Sequence, residues 1–167
     1  NSKGIVFESN RPHDTIKGNE DAKLNFKFSR NNDLFVYNTQ TKSTYLNRIT
    51  HTPDINEIKP QEYANGIVSF LSDSNGIYNR FVGVIDSAIS FVDTVEHYRF
   101  FYRTKAISNN LKNCEEYHIN SSFTKLAEIT IENNQEKLTV SDLINPTVLL
   151  TQKLSDTWFR GTPKSPL

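Results

Sequence analysis

The side chains that most often do chemistry in proteins are sparse in this chain and far apart. The four histidines stand at positions 13, 51, 97 and 118, so no two have the short spacing of zinc ligands, and a single cysteine cannot form a Cys-x-x-Cys motif. Neither a Gly-x-Ser-x-Gly elbow nor a glycine-rich phosphate loop occurs. We therefore predict that the chain is not an enzyme, with no catalytic residue, no metal site and no cofactor.

Two further candidates for chemistry have a simpler interpretation as structure. Cys114 stands in the polar stretch NNLKNCEEYH, and we interpret it as a bystander rather than a nucleophile. The stretch SDSNG at 72–76 has enough oxygen atoms to hold Ca²⁺, but it lacks alternating carboxylates. An ordinary turn is the favoured interpretation of that stretch.

Three places combine Asp, a hydroxyl residue and a small or apolar residue, at 14–16, 86–88 and 93–95. This pattern resembles the O-glycosylation signal of envelope proteins in Bacteroidetes-type bacteria. The resemblance implies modification of Thr15, Ser87 and Thr94 on exposed loops of an exported protein, while ordinary turn chemistry is the alternative. Asn120 also opens an Asn-x-Ser acceptor, which is meaningful only in a secreted eukaryotic protein.

Composition narrows the class of protein. The 167 residues hold 19 Lys and Arg against 19 Asp and Glu, so the electrostatic footprint of a dedicated nucleic-acid binder is missing. No apolar run reaches the length of about 18 residues that a membrane-spanning segment needs. The chain starts at Asn1 and contains no Met, which predicts a processed terminus or a piece of a larger protein.

Short apolar runs between turn residues predict an all-β chain. The runs begin with GIVFES at 4–9 and continue at 34–37, 44–49, 66–72 and 79–86, and a long strand-favouring segment follows to about residue 107. TKLAEITIENNQEKLTV predicts a hairpin with Asn133 and Asn134 near its tip. We expect one helical turn from Ser141 to Pro146 and an extended C-terminal tail at 151–167.

The apolar runs also repeat. GIVFES at 4–9 and GIVSFLS at 66–72 both give Gly-Ile-Val and then Phe-x-Ser, and each precedes a similar second run, NDLFVYN at 32–38 and NRFVGVI at 79–85. A polar insertion at 12–31 separates the runs of the first copy. We interpret this insertion as a surface loop.

This repeat resembles the β-propeller repeat of TolB and related proteins over about residues 4–90. The family pattern has an aspartate-led strand, a spacer with a proline, a glycine turn, a strand of the type I-x-F-x-S-D and a second glycine turn. Asp33, Pro60, Gly66, Phe70, Ser72, Asp73 and Gly76 match it in the second copy, and Gly4, Phe7 and Ser9 match the same strand in the preceding copy. The aromatic residue that usually follows the proline is replaced here by Gln-Glu-Tyr at 61–63.

The resemblance implies a partial β-propeller of two to four blades of antiparallel strands. It divides the chain into blades at 1–90, further strands or an atypical blade at 91–150, and the extended C-terminal tail at 151–167. The matched residues then have structural roles: the glycines supply positive φ in turns, and Phe7 and Phe70 pack between neighbouring blades.

Three hypotheses about function follow. The first is a non-catalytic scaffold in the periplasm or at the outer membrane, which binds other proteins and the remainder of its own parent chain. The second is the gating propeller of a prolyl-oligopeptidase-like serine peptidase whose catalytic domain lies outside this chain. The third is a self-contained β-sandwich that binds carbohydrate through exposed aromatic residues such as Tyr98 and Trp158.

Overall fold

The structure, a computed structural model, describes residues 4–11, 30–40, 46–64, 66–145, 148 and 151–159. These residues contain no α-helix, so the prediction of an all-β chain is confirmed. The strands in chain order are β1 (Gly4–Ser9), β2 (Asp33–Asn38), β3 (Asn47–Arg48), β4 (Glu57–Ala64), β5 (Ile67–Ser72), β6 (Asn79–Val92), β7 (Glu96–Ala106), β8 (Cys114–Ile119), β9 (Lys125–Glu132) and β10 (Gln135–Asp142).

The strands form three antiparallel sheets, and in each sheet the strands neighbour one another in chain order. We name them sheet A (β1-β2-β3), sheet B (β4-β5-β6-β7) and sheet C (β8-β9-β10). None of the three is closed into a barrel. The connections within sheets B and C are short, which agrees with the frequent turn residues of the sequence, whereas residues 10–32 join β1 to β2 in sheet A.

Sheet B lies between the other two sheets. One hydrophobic cluster joins its Val68 and Phe70 to Leu34 and Ile49 of sheet A and the segment after it. A second cluster joins Tyr63, Leu71 and Val82 of sheet B to buried residues of sheet C, namely Cys114, Tyr117, Ile119 and Leu126. Because side chains alternate along a strand, β5 supplies both clusters, and its burial on both faces follows from that position.

Close approach between sheets A and B depends on a residue without a side chain. A Cβ atom placed on Gly83 would lie 3.3 Å from the Ile49 side chain and 3.6 Å from the Tyr102 ring. Polar contacts also cross between sheets: Lys59 N donates to Glu8 of sheet A at 2.6 Å, and Arg80 pairs with Glu128 of sheet C at 2.6 Å.

Two strands and one turn differ from the sequence predictions. β4 was not predicted because it contains Pro60 and several charged residues, yet it forms with a bulge at Lys59 (φ 54°) and Pro60, where no ladder N–H is required. β8 was not predicted because its sequence, CEEYHI, is mostly polar. The predicted helical turn from Ser141 is wrong at its start, since Ser141 and Asp142 end β10 in pairing with β9.

The described part of the C-terminal segment, 151–159, contains no strand. It runs beside sheet B, where Gln152 N donates to Ala106 O at 2.9 Å. Asn75 donates to Ser155 O at 2.9 Å, and Asn109 exchanges hydrogen bonds with Ser155. The described residues include no helix with the length and apolar character that crossing a membrane requires.

Candidate functional site

The residues of the sequence repeat occupy matching places in sheets A and B. Phe7 pairs with Phe35 across β1 and β2, and Phe70 pairs with Phe81 across β5 and β6. Both pairs are stacked, with ring centroids 5.9 Å and 5.6 Å apart. Ser9 pairs with Asp33, and Ser72 pairs with Asn79 at the equivalent position. The spatial repeat therefore aligns Asp33 with Asn79.

The other matched residues lie in turns or at strand ends. Gly66 and Gly76 have φ values of 81° and 86°, which side-chain-bearing residues rarely adopt. Asp73 follows β5, and its carboxylate accepts a hydrogen bond from Asn56 N at 2.8 Å. Gly4 opens β1, where its Cα lies beside Val36 and Tyr37. These contacts hold strands and turns together, and they bring no two of the repeat residues into a cleft.

Glu57 is the most perturbed carboxyl group among the described residues. It is 2% exposed, its Oε1 accepts a hydrogen bond from the Thr52 hydroxyl, and its Oε2 has no partner in the structure. Burial raises the pKa of Glu57 to about 7, the Thr52 hydrogen bond opposes that rise, and the Asp33 carboxylate adds to it. The carboxyl group of Glu57 thus gains or loses its proton near neutral pH.

The surroundings of Glu57 link strands of different sheets. Asp33 is occupied by Arg48 at 2.6 Å and by Thr52 N at 3.0 Å. The backbone N of Glu57 donates to Asn32 O at 2.9 Å. No group of three or more potential metal ligands lies together in the described ranges. Glu57, Thr52 and Asp33 therefore join β4 to the segments around β2 and β3.

The predicted chemistry candidates are dispersed in the structure as they are in the sequence. Cys114 is fully buried, and burial raises the pKa of its thiol to about 12, so the reactive thiolate is not formed near neutral pH. His51 and His118 are exposed at different places, and His97 lies 3.1 Å from Asp93. His13 lies outside the described residues.

The predicted glycosylation sites are placed in part. Thr94 is exposed in the turn between β6 and β7, and Ser87 is exposed within β6. The Asp86 carboxylate accepts a hydrogen bond from Ser87 N at 2.8 Å, and Asp93 accepts one from Val95 N at 3.0 Å. These are turn-type contacts of aspartate. Thr15 and most of the insertion at 12–31 lie outside the described residues.

A long hairpin projects from sheet B. β5 pairs with β6 only as far as Gly83, whereas β6 and β7 remain paired from Phe81–Ala106 to Val92–Glu96. Residues 84–103, which we call the arm, therefore form a two-stranded ribbon whose strands are about 30 Å long at the usual rise per residue. The predicted domain boundary at residue 90 falls inside β6.

Several large apolar side chains of the arm are exposed to solvent. Five of them are at least 50% exposed, Ile85, Ile89, Phe91, Val92 and Val95. A two-stranded hairpin by itself is marginally stable in water, and exposed apolar patches mark interaction surfaces. The sequence feature that could have indicated the arm is the run of apolar residues that continues past the length of a normal strand.

The tip of the arm is ordered by local contacts. The Phe91 ring stacks on the His97 ring with centroids 4.1 Å apart, and His97 contacts Asp93 at 3.1 Å. The hydrogen bond from Val95 N is the main reason that the pKa of Asp93 is lowered, and the contacts with His97 and Thr94 lower it further, while desolvation opposes them. The tip thus presents Phe91, Val92 and Val95 from a defined turn.

A shallow groove of about 560 Å³ lies at the ends of sheets B and C. Its lining combines apolar side chains with amides and two charges, from Gly76, Ile77, Leu111, Lys112, Asn113, Glu115, Ile131, Asn133, Asn134 and Phe159. Trp158, next to Phe159, is exposed. An aromatic ring beside several amides is an arrangement that can hold a polar ligand with apolar faces.

Comparison of the chain with protein-family models, with curated proteins and with solved structures gave no match.

Proposed function

We propose that this chain is a non-catalytic interaction scaffold, in which the three stacked sheets hold the arm out as a docking element for a protein partner. The observation that carries the proposal is the set of five exposed apolar side chains on a ribbon that pairs with no further described strand. Zero formal charge disfavours a polyanionic partner. A protein surface with an apolar groove fits the arm best, since it would remove these side chains from water.

We further propose an architecture and a cellular location for this scaffold. The successive meander sheets and the repeated Phe pairs support blades of a TolB-like propeller as the architecture of the scaffold. The Asp-Ser and Asp-Thr motifs at Ser87 and Thr94 support an exported protein of the periplasm or outer membrane. A peptidase domain elsewhere in a parent protein remains compatible with a propeller that gates access to it.

Site-specific photo-crosslinking tests the docking role. A photoreactive amino acid at position 89 or 92 is expected to give one discrete protein adduct in the native host, because these side chains would lie inside the interface. The same group at Ser121, in the exposed turn between β8 and β9, is the matched control. Equal adduct patterns at the arm and at Ser121 would overturn the proposal.

The groove favours a second candidate function, carbohydrate binding, in which Phe159 lines the groove and the exposed Trp158 is its neighbour in the chain. Trp158 is the sole tryptophan, so a sugar that binds beside Phe159 can be followed by its fluorescence. Titration with cello-, chito- and peptidoglycan-derived oligosaccharides is expected to shift that emission, and Asn113→Ala is expected to weaken the shift. Unchanged emission at saturating sugar would reject this candidate.

A further inference from the structure

Beyond Gly83, one edge of β6 has no neighbouring strand in the described part of the chain. β5 pairs with β6 only as far as Gly83, and β6 continues to Val92 with β7 alone beside it. A strand edge of this kind presents unpaired backbone N–H and C=O groups, which form a template for pairing with a further strand. The partner that fits this edge is therefore another extended strand.

The residues of β6 that face this edge follow from the hydrogen-bond pattern. Ile107 N donates to Arg80 O at 2.8 Å, so the even-numbered residues of β6 bond towards β7 and its continuation. The register of β6 and β7 has no shift over 81–89, so the alternation holds along this stretch. The backbone groups that point at the free edge are consequently those of Ile85, Ser87 and Ile89.

The backbone amide in the middle of this edge is satisfied locally. Ser87 N donates to the carboxylate of Asp86, its neighbour in the chain, at 2.8 Å. The same carboxylate pairs with Arg103 at 2.7 Å, so the charge of Asp86 is balanced within the arm. Side chains of this type offer the backbone an alternative to a sheet ladder. Asp86 thus supplies an oxygen atom where a further strand would supply a carbonyl group.

The free edge of β6 lacks the features that protect the two outer strands of sheet B. β4 carries Pro60 and a bulge at Lys59, and β7, with the sequence EHYRFFYRTKA, carries two arginines and a lysine. Proline, bulges and basic side chains all hinder the pairing of a strand edge with a second chain. Residues 84–89 have the sequence VIDSAI, and the shift in register of β6 comes only after Ile89. This edge is therefore open to pairing.

The sequence of the free edge is complementary to itself. Antiparallel pairing about a two-fold axis at Ser87 places Ile85 of each copy opposite Ile89 of the other. Asp86 then lies opposite Ala88, so no two like charges face each other directly. Ile85 is 54% exposed and Ile89 is 50% exposed in a single copy, and the pairing brings them together on one face. These matched cross-strand pairs favour a second copy of the chain as the occupant of the edge.

From these observations we propose that two copies of the chain pair through the free edges of β6, antiparallel and with Ser87 on the two-fold axis. The pairing joins two arms into one four-stranded ribbon, whereas a two-stranded hairpin alone is marginally stable in water. It uses the backbone groups of the edge, so the faces of the arms remain available to a protein partner. The dimer therefore does not rest on the docking role proposed for the arm.

Opposite charges introduced at Ser87 test both the pairing and its register. In the proposed dimer, residue 87 lies opposite itself, so Ser87→Lys and Ser87→Glu each bring two like charges together. Each variant alone is expected to sediment as a monomer at concentrations where the wild-type chain is a dimer. Their equimolar mixture is expected to form a dimer again, because lysine then faces glutamate. Ser87 is exposed, so the fold tolerates both substitutions.

Matched controls separate this contact from other modes of association. Thr104→Lys and Thr104→Glu alter an exposed residue of β7, on the other side of β6, and are expected to sediment as the wild type does. A wild-type chain that stays monomeric at every concentration would overturn the proposal, as would a dimer that persists in Ser87→Lys. A mixture of the two Ser87 variants that stays monomeric would overturn it too, since residue 87 would then not face itself.

Photo-crosslinking distinguishes a failure of the dimer from a failure of the docking role. A photoreactive group at position 92 in the Ser87→Lys chain reports on the docking partner when the arms are unpaired. An adduct with another protein there would support the docking role whether or not the wild-type chain forms a dimer.

Discussion

At the scale of single residues, Glu57 is expected to make the free energy of unfolding depend on pH. Burial raises its pKa from 4.5 to about 7 in the folded chain. At pH values between these two, the folded state therefore keeps a proton that the unfolded state has released. The stabilisation is complete below about pH 4.5 and is lost as the pH rises through 7, on the order of 3 kcal/mol for a shift of this size. Urea unfolding of the wild type and of Glu57→Gln across this range measures it.

The difference in the free energy of unfolding between the wild type and Glu57→Gln gives the contribution of this carboxyl group, separate from that of the histidines and the other acidic residues. Glu57→Gln cannot titrate, so its stability is expected to fall less between pH 5 and 8 than that of the wild type. Glu62→Gln removes an exposed carboxyl on β4 and is the matched control, with a pH profile expected to follow the wild type. Parallel profiles for the wild type and Glu57→Gln would contradict the prediction.

At the scale of elements, two apolar runs around a turn were predictable as a hairpin, even with the weaker turn signal Asn-Asn, and isolated polar strands were not. The β9–β10 hairpin is confirmed, with Asn133 and Asn134 at φ 50° and 60° in its turn. β4 and β8 escaped prediction because their strand character comes from packing between sheets B and C. Tyr63 and Tyr117 are buried there, although the residues around them are polar. Tertiary contacts outweighed local pattern at both strands.

The turn of that hairpin gives an element-scale prediction. Both central residues have positive φ, so Asn134→Ala is expected to lower the free energy of unfolding by about 1 kcal/mol through backbone strain. Asn134→Gly creates the Asn-Gly pair that this turn type prefers, and we expect no loss of stability. Urea denaturation of both variants tests this, with Gln135→Ala as the control in the same hairpin. Equal stability of the Ala and Gly variants would contradict the positive-φ explanation.

A shortened arm separates the role of the element from that of the sheet. Ile85 and Tyr102 are directly paired, so replacing residues 86–101 by Asn-Gly closes β6 and β7 with a two-residue turn. Because the removed residues lie beyond the hydrophobic clusters, we expect the free energy of unfolding to change by about 0.5 kcal/mol or less. The partner identified by crosslinking at position 89 or 92 should no longer co-purify with the shortened chain. A shortened chain that no longer unfolds cooperatively would show that the arm is part of the core.

At the scale of the whole molecule, the sequence predicted the kind of fold better than the place of function. The repeat in the sequence corresponds to the stacked Phe pairs of sheets A and B. In the sequence the arm was visible only as a long apolar segment. Nothing local to that segment indicates that the pairing of β6 with β5 stops at Gly83. The groove combines residues from four separate parts of the chain, and no local pattern could have assembled them.

The central position of β5 predicts that the three sheets unfold together. Phe70 packs towards sheet A and Leu71 packs towards sheet C, so loss of either residue weakens a cluster that β5 shares. Leu71→Ala is expected to lower the free energy of unfolding by about 2–5 kcal/mol, while the urea transitions followed by far-ultraviolet circular dichroism and by Trp158 fluorescence continue to coincide. The exposed Leu111→Ala is the control, with a change of about 0.5 kcal/mol or less. If instead the fluorescence transition preceded the dichroism transition, the segment at 151–159 would leave the sheets before they unfold. The three sheets would then form one cooperative unit that does not include this segment, although Asn75 and Asn109 bond to Ser155.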